Sequence, residues 1–276
     1  MTDRIHPFTR AVGVVVIPFL AAAFVILVPF ADDTDTLFAW TILPPVTAML
    51  LGSAYVGGIW FFIQVVRPNR WHAVRHGFPA VLLFATLLAV ATFLHWDKFH
   101  FGHLSFIVWV TLYITTPFLV LAAMIVNRGE DPGTPEPNDI ELPGWIRLVL
   151  ALVGIASLIV GLVLFAVPQL AIETWGWTLT PLTARVCGAI LTLPGMVNVW
   201  MLRERRWSAF RQVFQAQLIS LVFILVALWV RWGELTWGRP SAALFVGGMV
   251  ASFGVYAAVY VWAEVRRSRA AAGDVQ

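Results

Sequence analysis

Long apolar stretches alternate with short polar segments along the 276 residues of the chain. An α-helix needs about 20 apolar residues to cross a hydrocarbon core of about 30 Å, and each of these stretches is close to that length. Apolar runs this long indicate membrane-spanning helices rather than strands or surface helices. We therefore predict an all-α, polytopic membrane protein with eight spans over residues 11–30, 44–66, 77–95, 104–127, 146–167, 181–202, 213–231 and 240–264.

Two polar segments separate or follow these spans. Segment 128–144 contains Asp131-Pro132-Gly133-Thr134-Pro135-Glu136-Pro137, and proline disfavours helix in the residue before it. Because such a segment buries little apolar surface, we interpret it as a cytoplasmic linker. The last residues are polar, and we expect them to be disordered. The predicted organisation is a four-helix region at 1–127, the linker at 128–144, a second four-helix region at 145–265 and a tail at 266–276.

A sequence repeat relates the two four-helix regions. The stretches that begin at Arg67 and at Arg203, 136 positions apart, both read R-x-x-R-W-x-A-x-R-x-x-F-x-A. The register holds without a gap over 39 pairs, of which 13 are identical. A repeat of this kind indicates a duplicated unit. Each unit has an even number of spans, so we expect two parallel copies related by a pseudo-twofold axis along the membrane normal, unlike inverted repeats.

Charge is scarce and unevenly distributed. Charged residues make up 12% of the chain and hydrophobic residues 60%, whereas about 25% charge is usual in soluble domains. All but four of the 18 Lys and Arg residues fall on the side of the bundle that holds both termini. The positive-inside rule therefore predicts that both termini are cytoplasmic.

The repeated arginine and tryptophan box lies at the cytoplasmic end of the third and seventh predicted spans. In a helix, a Trp and the Arg four residues later share one face. Indole favours the headgroup boundary, and guanidinium reaches lipid phosphate. We interpret the box as a set of lipid-headgroup anchors, with a specific acidic ligand between the two copies as the alternative. The predicted anchors are Arg70, Trp71, Arg75, Arg206, Trp207 and Arg211.

Candidate ligand-binding residues lie at the opposite, outer end, where the two copies diverge. Arg185 falls about one turn into its span, and a charge there is unfavourable unless it is paired or reaches the headgroups. Loops at the same end bring further polar side chains that could pair with it. We hypothesise an outer ligand site built from His95, Asp97, Glu173, Arg185 and Arg231.

The sequence predicts no metal site and no cofactor. His95, His100 and His103 are weak candidates, since imidazole suits Zn or Cu, but their spacing matches no established ligand pattern. Haem ligation by a histidine pair is not expected, because no histidine lies in the middle of a span. Asn198 is one of the few deep polar groups, and the absence of ionisable groups near the midplane opposes an ion-coupled pump. The single cysteine, Cys187, excludes an intrachain disulfide and is expected to be buried.

Small residues mark faces where helices can approach closely in lipid. The second span carries Ser53 and Gly57 at such a spacing, and the eighth carries Gly247 and Ala251. We expect these helices to be central or to form a homo-oligomer contact. Membrane lipids are the other expected partners, and the absence of a basic domain opposes nucleic-acid binding.

Several stretches resemble a group of uncharacterised multi-span proteins of high-GC bacteria. They are 33–40, the following Pro44-Pro45, 94–99 and the Arg70-Trp71 pair. The resemblance covers most of the chain and implies the plasma (inner) membrane of a bacterium. It implies no activity, cofactor or site residue.

Three functional hypotheses follow, in order of preference. The first is a protein that binds or moves a small or lipidic molecule at the outer end of the repeat interface, because the polar differences between the copies concentrate there. The second is a non-catalytic structural or accessory subunit. The third is a membrane enzyme acting on a lipid-linked substrate, which requires the outer acids and histidines to converge; no catalytic motif such as a nucleophile elbow or His-Glu-x-x-His is present.

Overall fold

The structure, a computed structural model, describes residues 2–67 and 69–273. Over these residues the chain is helical, and the only β-type contacts are isolated bridges. Eight helices are long and apolar enough to span a membrane, as the hydropathy pattern predicts. They are α1 (Pro7–Leu27), α2 (Pro45–Val66), α3 (Gly77–Leu94), α4 (Leu104–Val126), α5 (Gly144–Ala166), α6 (Pro181–Asn198), α7 (Ser208–Val230) and α8 (Pro240–Gly273).

Proline and threonine set the starts of several helices. Pro45 is the first residue of α2, where the fixed φ of proline suits a helix and its missing N–H has no partner to lose. At α6, the side chains and backbone N–H groups of Thr180 and Thr183 bond reciprocally in a capping box. At α1, Nδ1 of His6 accepts the N–H of Phe8. The His6 cap and Pro7 at the first helical position explain why α1 starts before residue 11, where hydropathy alone places it.

The end of α8 differs from the prediction. The helix continues through Gly273, whereas the tail from 266 was expected to be disordered. Alanine, the strongest helix former, occupies 270–272, and Arg267 pairs with Glu136 at 3.2 Å. Both favour a helix that extends beyond the span. Residues 274–276 of that predicted tail lie outside the described residues.

The helices pack so that α2 and α6 are the most buried. Within the first half α1 packs on α2 and α3 on α4, and within the second half α5 packs on α6 and α7 on α8. Between the halves, α2 packs on α7 and α3 packs on α6. Each of these six contacts has a counterpart with the two halves exchanged, and four helices, α2, α3, α6 and α7, form the interface. The packing of α1 on α4 is the exception, since α5 and α8 make no comparable contact in the described part of the chain.

Glycines allow the closest helix approaches, and they are only partly those predicted. A Cβ on Gly57 of α2 would lie 2.0 Å from Oγ of Ser220 in α7, so this face of α2 lies inside the bundle and is not free for another copy. Between α5 and α6, a Cβ on Gly161 or on Gly188 would meet the other's carbonyl oxygen at 2.6 Å. The glycine face of α8 is open: a Cβ on Gly247 would meet nothing within 4 Å. A homo-oligomer contact through α8 stays a prediction.

The linker is packed, contrary to the expectation that it buries almost nothing. Leu142 is 2% exposed, and its N–H donates to the carbonyl of Arg205 at 2.9 Å. The N–H of Trp207 donates to the carbonyl of Ile140 at 2.9 Å. The linker is held by backbone pairing, by charged side chains and by buried apolar residues such as Leu142. Most of its residues are charged, polar, Pro or Gly, which is why its composition resembles that of a free segment.

Candidate functional site

The structure does not gather the five predicted outer residues into one site. His95 and Arg185 meet, with Nη1 of Arg185 donating to Nε2 of His95 at 2.7 Å. Asp97 pairs with its neighbour Lys98 at 2.8 Å on the surface, and Glu173 is exposed. Arg231 bonds Asp32 at 3.0 Å and lies 3.5 Å from Glu234.

The ring of His95 is an uncharged hydrogen-bond acceptor, and it lies beside the charged guanidinium of Arg185. Burial lowers the pKa of His95, and the neighbouring Arg185 lowers it further. The ring is therefore neutral at pH 7, and its Nε2 accepts a hydrogen bond from the guanidinium. The Nε atom of Arg185 is buried without a hydrogen-bond partner. In the second half Arg231 occupies the position that corresponds to His95, and there the charge is neutralised by Asp32 and Glu234.

The structure does not bring the three outer histidines together. His100 binds the carbonyl of Phe38 at 3.0 Å and the hydroxyl of Thr41 at 3.1 Å, and its ring centre lies 5.3 Å from that of His103. His95 is used by Arg185. Across 2–67 and 69–273, no three side chains of the metal-binding types converge.

The opposite end of the bundle holds a buried ion network that joins the two repeated boxes to the linker. Nη1 and Nη2 of Arg206 bond Asp131 of the linker at 3.0 and 2.7 Å, and its Nε and Nη2 bond Glu204 at 3.0 and 2.6 Å. From the first box, Arg75 reaches Asp131 at 2.7 Å and Glu204 at 3.0 Å. The hydrogen bonds that Arg206 donates to the carboxylates of Glu204 and Asp131 raise its pKa. Burial tends to raise the pKa of Glu204, but its hydrogen bonds, including those from Arg206, hold it far below the ordinary value.

Two aspartates 136 residues apart make the same contacts with the two halves. Oδ1 of Asp3 accepts the N–H of His72 at 3.0 Å, and Oδ1 of Asp139 accepts the N–H of Ser208 at 3.0 Å. Their Oδ2 atoms bind Nδ1 of His72 at 2.6 Å and the hydroxyl of Ser208 at 2.5 Å. His72 and Ser208 are themselves 136 residues apart, and Nε2 of His72 lies 3.2 Å from Oγ of Ser208.

This correspondence was missed in the sequence, although a signal was present. At the same offset Asp3 matches Asp139, and Pro7 matches Pro143. The two matches lie outside the gap-free stretch, separated from it by the first two spans of each half, where apolar residues replace one another freely.

Most of the predicted headgroup anchors are occupied within the protein instead. Trp207 is fully buried and donates its indole N–H to Glu264 at 2.8 Å, and Arg211 also binds Glu264 at 2.9 Å. Trp71 is buried too, at 6% exposure. Arg75 and Arg206 lie in the ion network. The contacts of these five residues favour a role inside the protein, and their anchoring of lipid headgroups stays a prediction. Arg70 keeps a side chain that is 56% exposed.

Two cavities lie among the spans, one in each half. The first, about 110 Å³, is lined mainly by α2, α3 and α4 of the first half and by α7. The second, about 90 Å³, is lined mainly by α5 to α8. The positions correspond: Tyr113 and Thr116 line the first cavity, while Met249 and Ser252, each 136 residues later, line the second. Gln217 and Ser220 line both.

Each cavity has a buried polar atom without a partner. In the first, Oγ1 of Thr116 has no hydrogen bond, while the hydroxyls of Tyr55 and Tyr113 bond each other at 2.7 Å. In the second, the amide nitrogen of Asn198 bonds Leu150 at 3.0 Å and Tyr256 at 2.7 Å, but its Oδ1 has no partner. The walls carry no Asp, Glu, Lys, Arg or His. Such walls suit a small neutral molecule that brings one hydrogen-bonding group.

The fold and these contacts are the available guide to function. Searches against protein-family models, curated proteins and solved structures gave no match. Eight helices of the described residues are long and apolar enough to span a membrane, which is compatible with an integral membrane protein.

Proposed function

We propose that this protein binds a small, neutral, mainly apolar molecule in the first cavity, within the membrane. One observation carries the proposal: the cavity is apolar except for a few hydroxyl and amide groups, and Thr116 offers it a buried hydroxyl with no partner. Leaving such a group unsatisfied costs about 1–3 kcal/mol. A ligand hydroxyl or carbonyl that reached Thr116 would remove that cost.

The size of the cavity limits the ligand. An apolar cavity of about 150 Å³ accepts benzene or xenon in an engineered soluble protein, so about 110 Å³ accommodates a small molecule or one segment of a lipid. The outer polar residues support this ligand class less well, because His95 with Arg185 and Arg231 with Asp32 form separate pairs. They also give no support to an enzyme, which requires them to converge.

We propose further that the two halves are copies of one four-helix unit related by a pseudo-twofold axis along the membrane normal. The exchanged helix contacts, the matching cavities and the Asp3 and Asp139 contacts all support it. The concentration of arginine at the end that holds both termini favours a cytoplasmic location for that end, in a bacterial plasma membrane.

Native mass spectrometry of gently solubilised protein tests the ligand proposal. Thr116→Val keeps the shape of the side chain and removes its hydroxyl, so we expect the retained ligand to bind about three- to tenfold more weakly. The same change relieves an unsatisfied group, so the ligand-free protein should be as stable as the wild type or more so. Ala85→Leu should fill the cavity and abolish retention, since Ala85 lines it and is 2% exposed.

Thr115→Val is the matched control, because Thr115 is exposed and its hydroxyl already bonds the carbonyl of Thr111 at 2.7 Å. It should retain the wild-type mass. Equal retention in all four proteins, or no retained mass in the wild type, would contradict the proposal and favour the structural or accessory role.

A further inference from the structure

A groove of about 690 Å³ lies at the arginine-rich end of the bundle, beside the start of α1 and the end of α4. Three arginines line it: Arg4, Arg10 and Arg70. The acids in its wall are Asp3 and Glu130. Both have partners of their own, since Asp3 binds His72 and Glu130 accepts both the N–H and the hydroxyl of Thr2, at 3.1 and 2.8 Å.

Among the described residues, no acid lies within hydrogen-bond distance of the guanidinium groups of these three arginines. Arg4 and Arg70 face each other in an antiparallel bridge, where directly opposed like charges repel. Nε of Arg10 is buried and has no hydrogen-bond partner. The nearest acid to Arg70 is Glu136, with Nε and Oε1 3.9 Å apart, too far for a hydrogen bond. The positive end of the α1 dipole adds to the same potential.

The groove is continuous with the lipid-facing surface of the bundle. Val126, the last residue of α4, lines it and is exposed. Two turns into α1, Val14 and Val15 are more than half exposed. Apolar chains attached to an anion in the groove would therefore lie along α1 and α4.

From these contacts we infer that the groove binds the phosphate headgroup of an anionic membrane lipid, in the leaflet at the arginine-rich end. Arginine suits this role, because its planar guanidinium can bond two phosphate oxygens at once. The site is distinct from the cavity of the proposed function and does not depend on it.

The second half lacks this site, which argues against a general property of the bundle end. At the corresponding positions Ile140 replaces Arg4 and Ile146 replaces Arg10. Arg206 replaces Arg70 and is bound by Asp131 and Glu204. The arrangement thus belongs to one copy of the repeat alone.

Titration of the purified full-length protein with phosphatidylglycerol, followed by native mass spectrometry, tests the inference. We expect one preferred lipid site, and Arg4→Gln, Arg10→Gln and Arg70→Gln should each weaken it about fivefold. Glu130→Gln should strengthen binding, because it removes a negative charge from the groove wall. Arg203→Gln is the matched control: Arg203 is exposed at the same end, outside the groove.

Three further arms decide the outcome. Phosphatidylcholine of the same acyl composition should not occupy the site, and higher salt should weaken the phosphatidylglycerol adduct. In phosphatidylcholine nanodiscs, inorganic phosphate should not stabilise the protein; stabilisation that Arg10→Gln removes would assign the groove to a free anion and overturn the lipid inference. Equal lipid affinity for Arg10→Gln and Arg203→Gln would overturn the site altogether.

Arg10→Lys, which keeps the charge, guards against a folding defect: its lipid affinity should lie between those of the wild type and Arg10→Gln.

Discussion

The guanidinium of Arg206 lies between two carboxylates from different parts of the chain, Glu204 beside it and Asp131 in the linker. All three side chains are at most 10% exposed. A buried ion pair adds little stability compared with a well-packed apolar substitute, but the loss of one partner leaves the other charge buried and unpaired. Arg75, which belongs to the first half, binds the same two acids. The ion network therefore holds the linker, through Asp131, against both halves.

We expect Arg206→Gln to lower the free energy of unfolding by about 3 kcal/mol, since Asp131 and Glu204 would lose their shared buried partner. Denaturant unfolding in detergent micelles at pH 7 measures this. Arg205→Gln, at the exposed neighbouring arginine, should change the value by less than about 0.5 kcal/mol. If the two variants were equally stable, the network would carry no structural role.

How much of the fold and of the candidate site the sequence predicts depends on how far apart along the chain the interacting residues lie. Apolar runs in lipid have one favourable solution, a spanning helix, and so all eight spans are predicted, with bounds that agree within about five residues except at the far end of α8. The partner of Arg206 is not predictable in this way, because Asp131 lies 75 positions away in a segment whose composition resembles that of a free loop. Of the outer residues, His95 and Arg185 do meet, while nothing local to Arg231 marks Asp32 as its partner.

At the scale of elements, α5 and α6 are joined through backbone contact. Gly154, Gly161, Gly188 and Gly195 line this contact, and a Cβ on any of them would approach an atom of the other helix to 2.6 Å or less. In lipid no water is released when such surfaces meet, so close van der Waals packing supplies the attraction. The glycines therefore fix the separation of the two helices, and with it the wall of the second cavity, which Gly154 also lines.

Gly188→Ala should force α5 and α6 apart, because its Cβ would meet the carbonyl oxygen of Gly161 at 2.6 Å. We expect a loss of about 1–3 kcal/mol of stability, measured by denaturant unfolding. Gly247→Ala in α8 is the control: nothing lies within 4 Å of its Cβ, and alanine is the better helix former, so stability should hold or rise. A neutral Gly188→Ala would contradict the contact.

At the scale of the whole molecule, eight helices place both ends of the chain on one side of the bundle. The ion network and the three-arginine groove lie on that side, while the His95–Arg185 pair lies on the other. The arginine-rich side contains many paired charges in addition to buried apolar side chains such as Met201 and Trp207. The two ends of the bundle therefore present different sets of charges to the lipid headgroups and to the membrane potential.

Cysteine labelling of intact cells with a membrane-impermeant maleimide tests the proposed orientation, in which the arginine-rich end is cytoplasmic. Cys187 is buried, so the unmodified protein should remain unlabelled. Asp97→Cys and Glu173→Cys, both at exposed outer positions, should react. Thr2→Cys and Ser268→Cys should react only after the membrane is opened. The reverse pattern would invert the orientation, and labelling of one residue of each pair would contradict an even number of spans.

The 3.2 Å contact between His72 and Ser208 bears on how such a protein arises. In the proposed duplication these residues occupy one position of the unit, beside the axis that relates the copies. In a homodimer of single units that position would face itself, and symmetry would impose two histidines or two serines. Once the units were joined in one chain, a mutation could change one side alone. On this proposal the two halves are now unlike partners: if the chain were cut in the linker, a first half should reassemble with a second half and not with another copy of itself.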